Sequence, residues 1–313
     1  MTSEGARSDE GSDRSVAGIE GRLNPPASGV HERHPYARTR ATTVTGMVPN
    51  VAERARWNDE AWTRAWKKRE VLTDSVTPLL LDALDLRPGE RALDVGCGGG
   101  KATIAASRRV QPGGKVVGAD ISEPLLALAR ERAAGSSWAT FQQADMQVDQ
   151  VGGGGFDVAM SQFGVMFFDE PVAAFINLAK HLRPGGRLGF ACWQPMDRNP
   201  WFVGSVLGPF VAAAAPVAPG KSPTGPFAFG DPDRVRQILL DAGFSGIRVD
   251  LYEHGVDVPE GAVVDDAQLV FMGVSVEAMD DARKTVASLM ERFAADDGMR
   301  RFPLAFQLIT ARL

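Results

Sequence analysis

The chain has 313 residues, enough for one large core or for one core with a cap. Hydrophobic residues make up 44% and charged residues 23%, ordinary values for a globular protein. With 34 basic and 39 acidic side chains the formal charge is −5, which argues against the basic face of a nucleic-acid binder. No apolar run reaches the roughly 18 residues of a membrane span.

In chain order, residues 1–50 are rich in Ser, Gly, Arg, Pro and acids, a composition that predicts a flexible tail without a signal peptide. Within it, Ile19-Glu20-Gly21-Arg22 matches a protease recognition sequence. Residues 51–84 read as one or two helices forming an N-terminal cap. Trp57, Trp62 and Trp66 fall at helical spacing there, and Pro78 suits a first turn. From Pro88-Gly89 onward, strands and helices alternate. Strands are expected at 91–95, 115–120, 138–142, 156–161 and 187–193, and helices at 101–110, 123–134 and 170–182. This order predicts an α/β fold with a parallel sheet and helices on both faces. Gly152 to Gly155 reads as a flexible connector. Residues 194–230 lose periodicity, as lids and binding loops do. Asp231-Pro232 opens a helix that ends at Gly243. A strand over 247–258, a mainly helical insertion over 263–297 and a last strand over 302–313 complete the chain.

The most informative stretch is Ala92-Leu93-Asp94-Val95-Gly96-Cys97-Gly98-Gly99-Gly100. It reads as a buried strand, an acid near its carboxyl end, a glycine turn open to close approach of a ligand, and then a helix. A dinucleotide would set its pyrophosphate at that helix N-terminus, where a carboxylate repels it. S-Adenosylmethionine has no phosphate and carries an ammonium that a carboxylate suits. Asp94 therefore favours S-adenosylmethionine over NAD.

These residues resemble the glycine motif of class I S-adenosylmethionine-dependent methyltransferases. Val116 to Ser122, Phe141 to Met146, Phe156 to Phe163 and Leu182 to Leu188 resemble its later segments in order and spacing. The likeness covers about residues 51 to 313 and is strongest to the ubiquinone-biosynthesis-like small-molecule group. It implies a Rossmann-like, seven-stranded, mostly parallel sheet with an antiparallel last strand. Residues 85–313 would form the methyltransferase domain, with lid insertions at 194–230 and 259–301.

The resemblance also implies a site. Asp94, Gly96, Cys97 and Gly98 would hold the methionine end, with Ser161 and Gln162 lining it. Asp120, followed by Ile121, would take the ribose hydroxyls, with helix capping as its structural alternative. Asp145 and Met146 would face the adenine, and Trp57 would cover the cofactor. Phe163, Met166, Trp193, Trp201 and Phe229 would line an apolar acceptor pocket. Ser161-Gln162-Phe163-Gly164 lacks the Asn/Asp-Pro-Pro-aromatic pattern of enzymes that methylate nucleobase or glutamine amino groups.

No catalytic base stands out among His31, His34, His181 and His254, and no His/Cys cluster has metal-ligand spacing. The two cysteines, Cys97 and Cys192, suggest a reducing, cytoplasmic setting. The expected activity is methyl transfer to O, C or N of an apolar metabolite, as in secondary metabolism. A non-transfer use of the same cofactor and a non-catalytic binding protein stay open. The oligomeric state is undetermined.

Overall fold

The computed structural model describes residues 50–211, 224–259, 264–296 and 298–313. The expected tail over 1–49, with Ile19 to Arg22, His31 and His34, lies outside the described residues. Asn50 does not belong with that tail. It is buried, its amide donates to Asp169 at 2.9 Å, and its side chain donates to Asp145 at 2.7 Å.

The cap is α1 (Val51–Trp57), α2 (Glu60–Arg69), a 3-10 turn (Glu70–Leu72) and α3 (Val76–Leu84). Asp59 caps α2 by accepting from Trp62 N. The sheet then builds through β1 (Arg91–Val95), α4 (Lys101–Arg109), β2 (Lys115–Asp120), α5 (Glu123–Arg132), β3 (Ala139–Gln143), β4 (Phe156–Gln162), α6 (Pro171–His181) and β5 (Leu182–Trp193). It ends with α7 (Pro232–Asp241), β6 (Ser245–Pro259), α8 (Asp266–Phe271), α9 (Met279–Glu291) and β7 (Met299–Arg312).

The seven strands lie in the order β3-β2-β1-β4-β5-β7-β6. β7 runs antiparallel to both β5 and β6, while β1 to β5 pair in parallel. The order reverses between β1 and β4, and ligands of open α/β sheets bind at the carboxyl ends of strands at such a switch point. Leu93 and Val95 of β1 are buried, as a central strand covered on both faces requires. Phe175, Phe190, Phe229 and Phe244 pack together in the core.

Two local readings change. β5 starts at Leu182, not at 187, because Leu182 pairs with Phe156 before a register shift resumes pairing at Val158 and Arg187. The glycine run is more than a connector: the carbonyls of Gly152 and Gly154 accept from the Arg91 guanidinium at 3.0 and 2.9 Å. Glycine suits the run because all four residues have positive φ.

Candidate functional site

A cavity of about 550 Å³ lies where the carboxyl ends of β1, β2 and β4 meet the cap. The glycine loop forms its floor. Gly96 N and Cys97 N donate to the Ala119 carbonyl at 2.8 and 3.1 Å, which ties the loop to the end of β2. Gly98 N donates to Asp120 Oδ2 at 2.8 Å. Gly96 needs to be glycine: its φ is +67°, and a Cβ there would stand 2.8 Å from the Cα of Gly164. A Cβ on Gly98 would reach 2.8 Å from the Trp66 ring, so Trp66 roofs the loop from the cap.

Among the described residues four buried acids line this cavity, Glu70 from the cap and Asp94, Asp120 and Asp145 from the sheet side. Asp94 accepts from Thr103 Oγ1 at 2.6 Å through one oxygen, and its other oxygen has no hydrogen-bond partner in the protein. Burial pushes the Asp94 carboxyl up to about 7; the Thr103 bond opposes the shift and the Asp120 charge adds to it. Asp120 accepts from Gly98 N and Ser122 N, both at 2.8 Å, yet burial still raises its pKa. Helix capping does not explain Asp120, because Ser122 caps α5 by accepting from Leu125 N. Asp145 accepts from Asn50 Nδ2 and Gln147 N through Oδ1. Its Oδ2 lacks a hydrogen bond, with Arg54 at 3.7 Å, and burial raises its pKa.

Of the residues expected at the cofactor, Asp94, Gly96, Cys97, Gly98, Asp120, Ile121, Asp145, Met146, Gln162 and Trp57 line the cavity. Ser161 does not. It is fully buried, donates to Val95 O at 2.7 Å and accepts from Gly164 N, so it joins β4 to the glycine loop from beneath. Gln162 lines the cavity, but both ends of its amide hold the cap. Its Oε1 accepts from Thr77 and its Nε2 donates to the Thr73 carbonyl.

Phe163, Met166, Trp193 and Trp201, the residues expected at the acceptor, all line the cavity. Phe163 stacks on Trp193 at 4.1 Å and holds a φ of +60°. A left-handed phenylalanine is strained by about 1 kcal/mol or more, and such strain gathers at ligand sites. Phe229 is a correction: it is a core residue packed on Phe175 and Phe190, away from the cavity wall. Its predecessor Phe227 reaches Phe202 instead.

Sequence reasoning gave no site role to Arg69, Gln268 or Met272, all of which line the cavity, as do Phe167 and Phe202 beside the expected apolar residues. The available signal was a basic residue at the end of a tryptophan-rich helix. Of the described histidines, neither His181 nor His254 is in the wall. His181 accepts from Val151 N, and His254 meets Ser75.

An ion-pair network joins cap and loop. Arg132 contacts both oxygens of the buried Glu70 at 2.8 and 2.6 Å, and donates to the Gly99 carbonyl at 2.9 Å. Glu70→Gln is expected to lower stability by about 2 kcal/mol, since it removes the charge from a partly buried pair. A urea midpoint within error of wild type would show that this contact does not hold the cap.

A switch-point cavity floored by a strand–glycine-loop–helix unit, with acids at the ends of β1 and β2, defines a nucleoside-cofactor protein of Rossmann-like fold. The chain is similar to S-adenosylmethionine-dependent methyltransferases. Residues 92–186 match the family model described as a methyltransferase domain. The chain is 35% identical over 179 residues to nocamycin O-methyltransferase of Saccharothrix syringae, covering 54% of this chain and 64% of that one. It is 26% identical over 204 residues to demethylmenaquinone methyltransferase of Staphylococcus carnosus, covering 62% and 79%. It spans only 33% of a 37.1 kDa protein of Streptomyces fradiae, to which it is 35% identical. Among solved structures, a putative methyltransferase of Bacillus halodurans superposes with a TM-score of 0.51 at 19% identity, over 76% of this chain and 98% of that one.

The residues present fit S-adenosylmethionine. The unpartnered oxygen of Asp94 suits an ammonium, and the glycine floor leaves room where a Cβ would intrude. Among the described residues, no helix is long and apolar enough to cross a membrane.

Proposed function

We propose that this protein transfers a methyl group from S-adenosylmethionine to an apolar small molecule by in-line displacement. The observation that carries the reading is one cavity with two chemistries. Buried acids and the glycine loop lie on one side, and Phe163, Met166, Trp193 and Trp201 on the other. When bound, the cofactor supplies a methyl group on a sulfonium. Asp94 and the loop from Gly96 to Gly98 would hold its methionine end, Asp120 its ribose, and Asp145 with Met146 its adenine. Trp57, whose ring meets Trp62 and Phe167 edge-on at 5.5 and 5.3 Å, would cover it. Aromatic faces attract a cation within about 6 Å.

The aromatic wall would orient the acceptor and exclude water, and such positioning supplies much of the rate in a displacement. The stretches 194–230 and 259–301, of which 212–223, 260–263 and 297 lie outside the described residues, would act as a lid, since Trp201, Phe202, Gln268 and Met272 reach the cavity from them. The relative named for O-methylation of nocamycin supports an oxygen acceptor in secondary metabolism. Both cysteines are buried and unpaired, which fits a cytoplasmic setting.

Calorimetric titration tests the cofactor, and release of S-adenosylhomocysteine in an acceptor screen tests transfer. Saturable binding of S-adenosylmethionine and S-adenosylhomocysteine, without NAD binding, is the expected result. Failure of both to bind would overturn the reading.

A further inference from the structure

The residue that opens α1 does not do what its position suggests. An asparagine in front of a helix ordinarily accepts from an N–H of the first turn, and the Asn50 side chain makes no such bond. Its backbone lies in the left-handed region at φ +51°, which asparagine enters more readily than most residues with a Cβ. The side chain is buried, lines the cavity and reaches away from its own helix in two directions. Oδ1 accepts from Asp169 N at 3.0 Å, and Nδ2 donates to Asp145 Oδ1 at 2.7 Å. Asn50 N donates in turn to Asp169 Oδ2 at 2.9 Å. One end of the amide meets an N–H and the other a carboxylate, which fixes its orientation.

The consequence falls on Asp145. Its Oδ1 takes two donors, Asn50 Nδ2 and Gln147 N, and its own backbone N–H donates to Asp149 Oδ2. Its Oδ2 takes none, with Arg54 at 3.7 Å, beyond hydrogen-bond range. A carboxylate held at one oxygen does not swing freely, so the other oxygen keeps a fixed direction. When ionised it can only accept. An exocyclic amine satisfies it, whereas a carbonyl in the same place sets lone pair against lone pair. Donors at the two oxygens both favour the ionised carboxylate, so Asn50 and a base amine support the same state.

We propose that Asn50 is a positioning residue for base recognition. By occupying Asp145 Oδ1 it makes Oδ2 a single, fixed acceptor that selects a 6-amino purine over a 6-oxo purine. This rests on the reading of Asp145 as the acid at the adenine, and adds the residue that orients it.

The test is calorimetric titration of the full-length protein with S-adenosylhomocysteine and with S-inosylhomocysteine, its 6-oxo purine counterpart. Wild type is expected to bind the adenosyl compound about 10-fold more tightly, the scale of one hydrogen bond to a charged group. Asn50→Asp suits the left-handed backbone and keeps the acceptor for Asp169 N, replacing only the donor to Asp145 with an oxygen. Two facing carboxylates then compete for one proton, and the preference is expected to fall to within about threefold. Asn50→Gly also suits the backbone, frees Asp145 and is expected to lower the preference similarly. If Asn50 only pins α1, each variant weakens both ligands by the same factor. An unchanged ratio in a folded variant would therefore overturn the proposal. If Asn50→Asp does not fold, Asn50→Gly decides it by the same ratio. Equal binding of the two ligands by wild type would remove Asp145 from the base, and the inference with it. Failure to bind S-adenosylhomocysteine would be a separate result, removing the cofactor reading as a whole.

Discussion

Asp120→Ala is expected to weaken binding of S-adenosylmethionine and S-adenosylhomocysteine by roughly 100-fold. Two hydrogen bonds from ribose hydroxyls to a buried carboxylate contribute about 1.5 kcal/mol or more each, and each 1.4 kcal/mol is a factor of ten. Part of the loss will be structural, because the same carboxylate accepts from Gly98 N and Ser122 N. Asp120→Asn separates the two contributions, since it keeps the side-chain shape and one acceptor oxygen. The check is calorimetric affinity beside thermal unfolding of each variant. A folded Asp120→Ala protein that binds S-adenosylhomocysteine within about threefold of wild type would remove Asp120 from the site.

Cofactor affinity is also expected to rise with pH between about 5 and 7, by up to tenfold per unit, and then to level off. The cause is Asp94, whose carboxyl burial pushes up from its ordinary 3.8 to about 7. For folding, the sign is fixed by that upward shift. The folded chain holds a proton that the unfolded chain releases, so stability from this group is fully present below about pH 4 and is lost as pH rises through 7. For binding, an ammonium beside Asp94 favours the ionised form, so association below pH 7 must expel a proton. Calorimetry in two buffers of different ionisation enthalpy reads that proton directly, without any turnover. Asp94→Asn should abolish most of the release, although Asp120 and Asp145, whose pKa values burial also raises, can leave a remainder. Proton uptake, or a flat pH profile in wild type, would contradict the assignment of Asp94 to the methionine end.

The cavity makes a different kind of demand on Gly96 and on Phe163. Both adopt positive φ, yet only Gly96 lacks the Cβ that would press on Gly164. Phe163 accepts its strain while its ring stacks on Trp193. The first arrangement can be read from a glycine motif, because a tight turn after a buried strand has few chemical solutions. The second cannot, because nothing local distinguishes a left-handed phenylalanine from an ordinary one.

The sequence by itself determined the strand–loop–helix unit at Asp94 to Gly100, the acid at the end of β2 and the alternation that builds the sheet. These depend on neighbours within a few residues, on periodicity and on backbone freedom, all of which are local. Only the tertiary structure decided which side chains of the long segments reach the cavity. Ser161 and Phe229 were expected in the site and instead join or fill the core, because their alternation along the chain does not reveal which layer covers them. Arg69, Gln268 and Met272 come from segments nearly 200 residues apart and meet only when α8 packs on α2. The expected cofactor residues Asp94, Asp120 and Asp145 sit at the ends of successive strand segments and are therefore legible in order. The apolar wall of the cavity joins residues that follow β4 and β5 to residues of the cap and of later segments, and that long-range packing is a property of the folded chain.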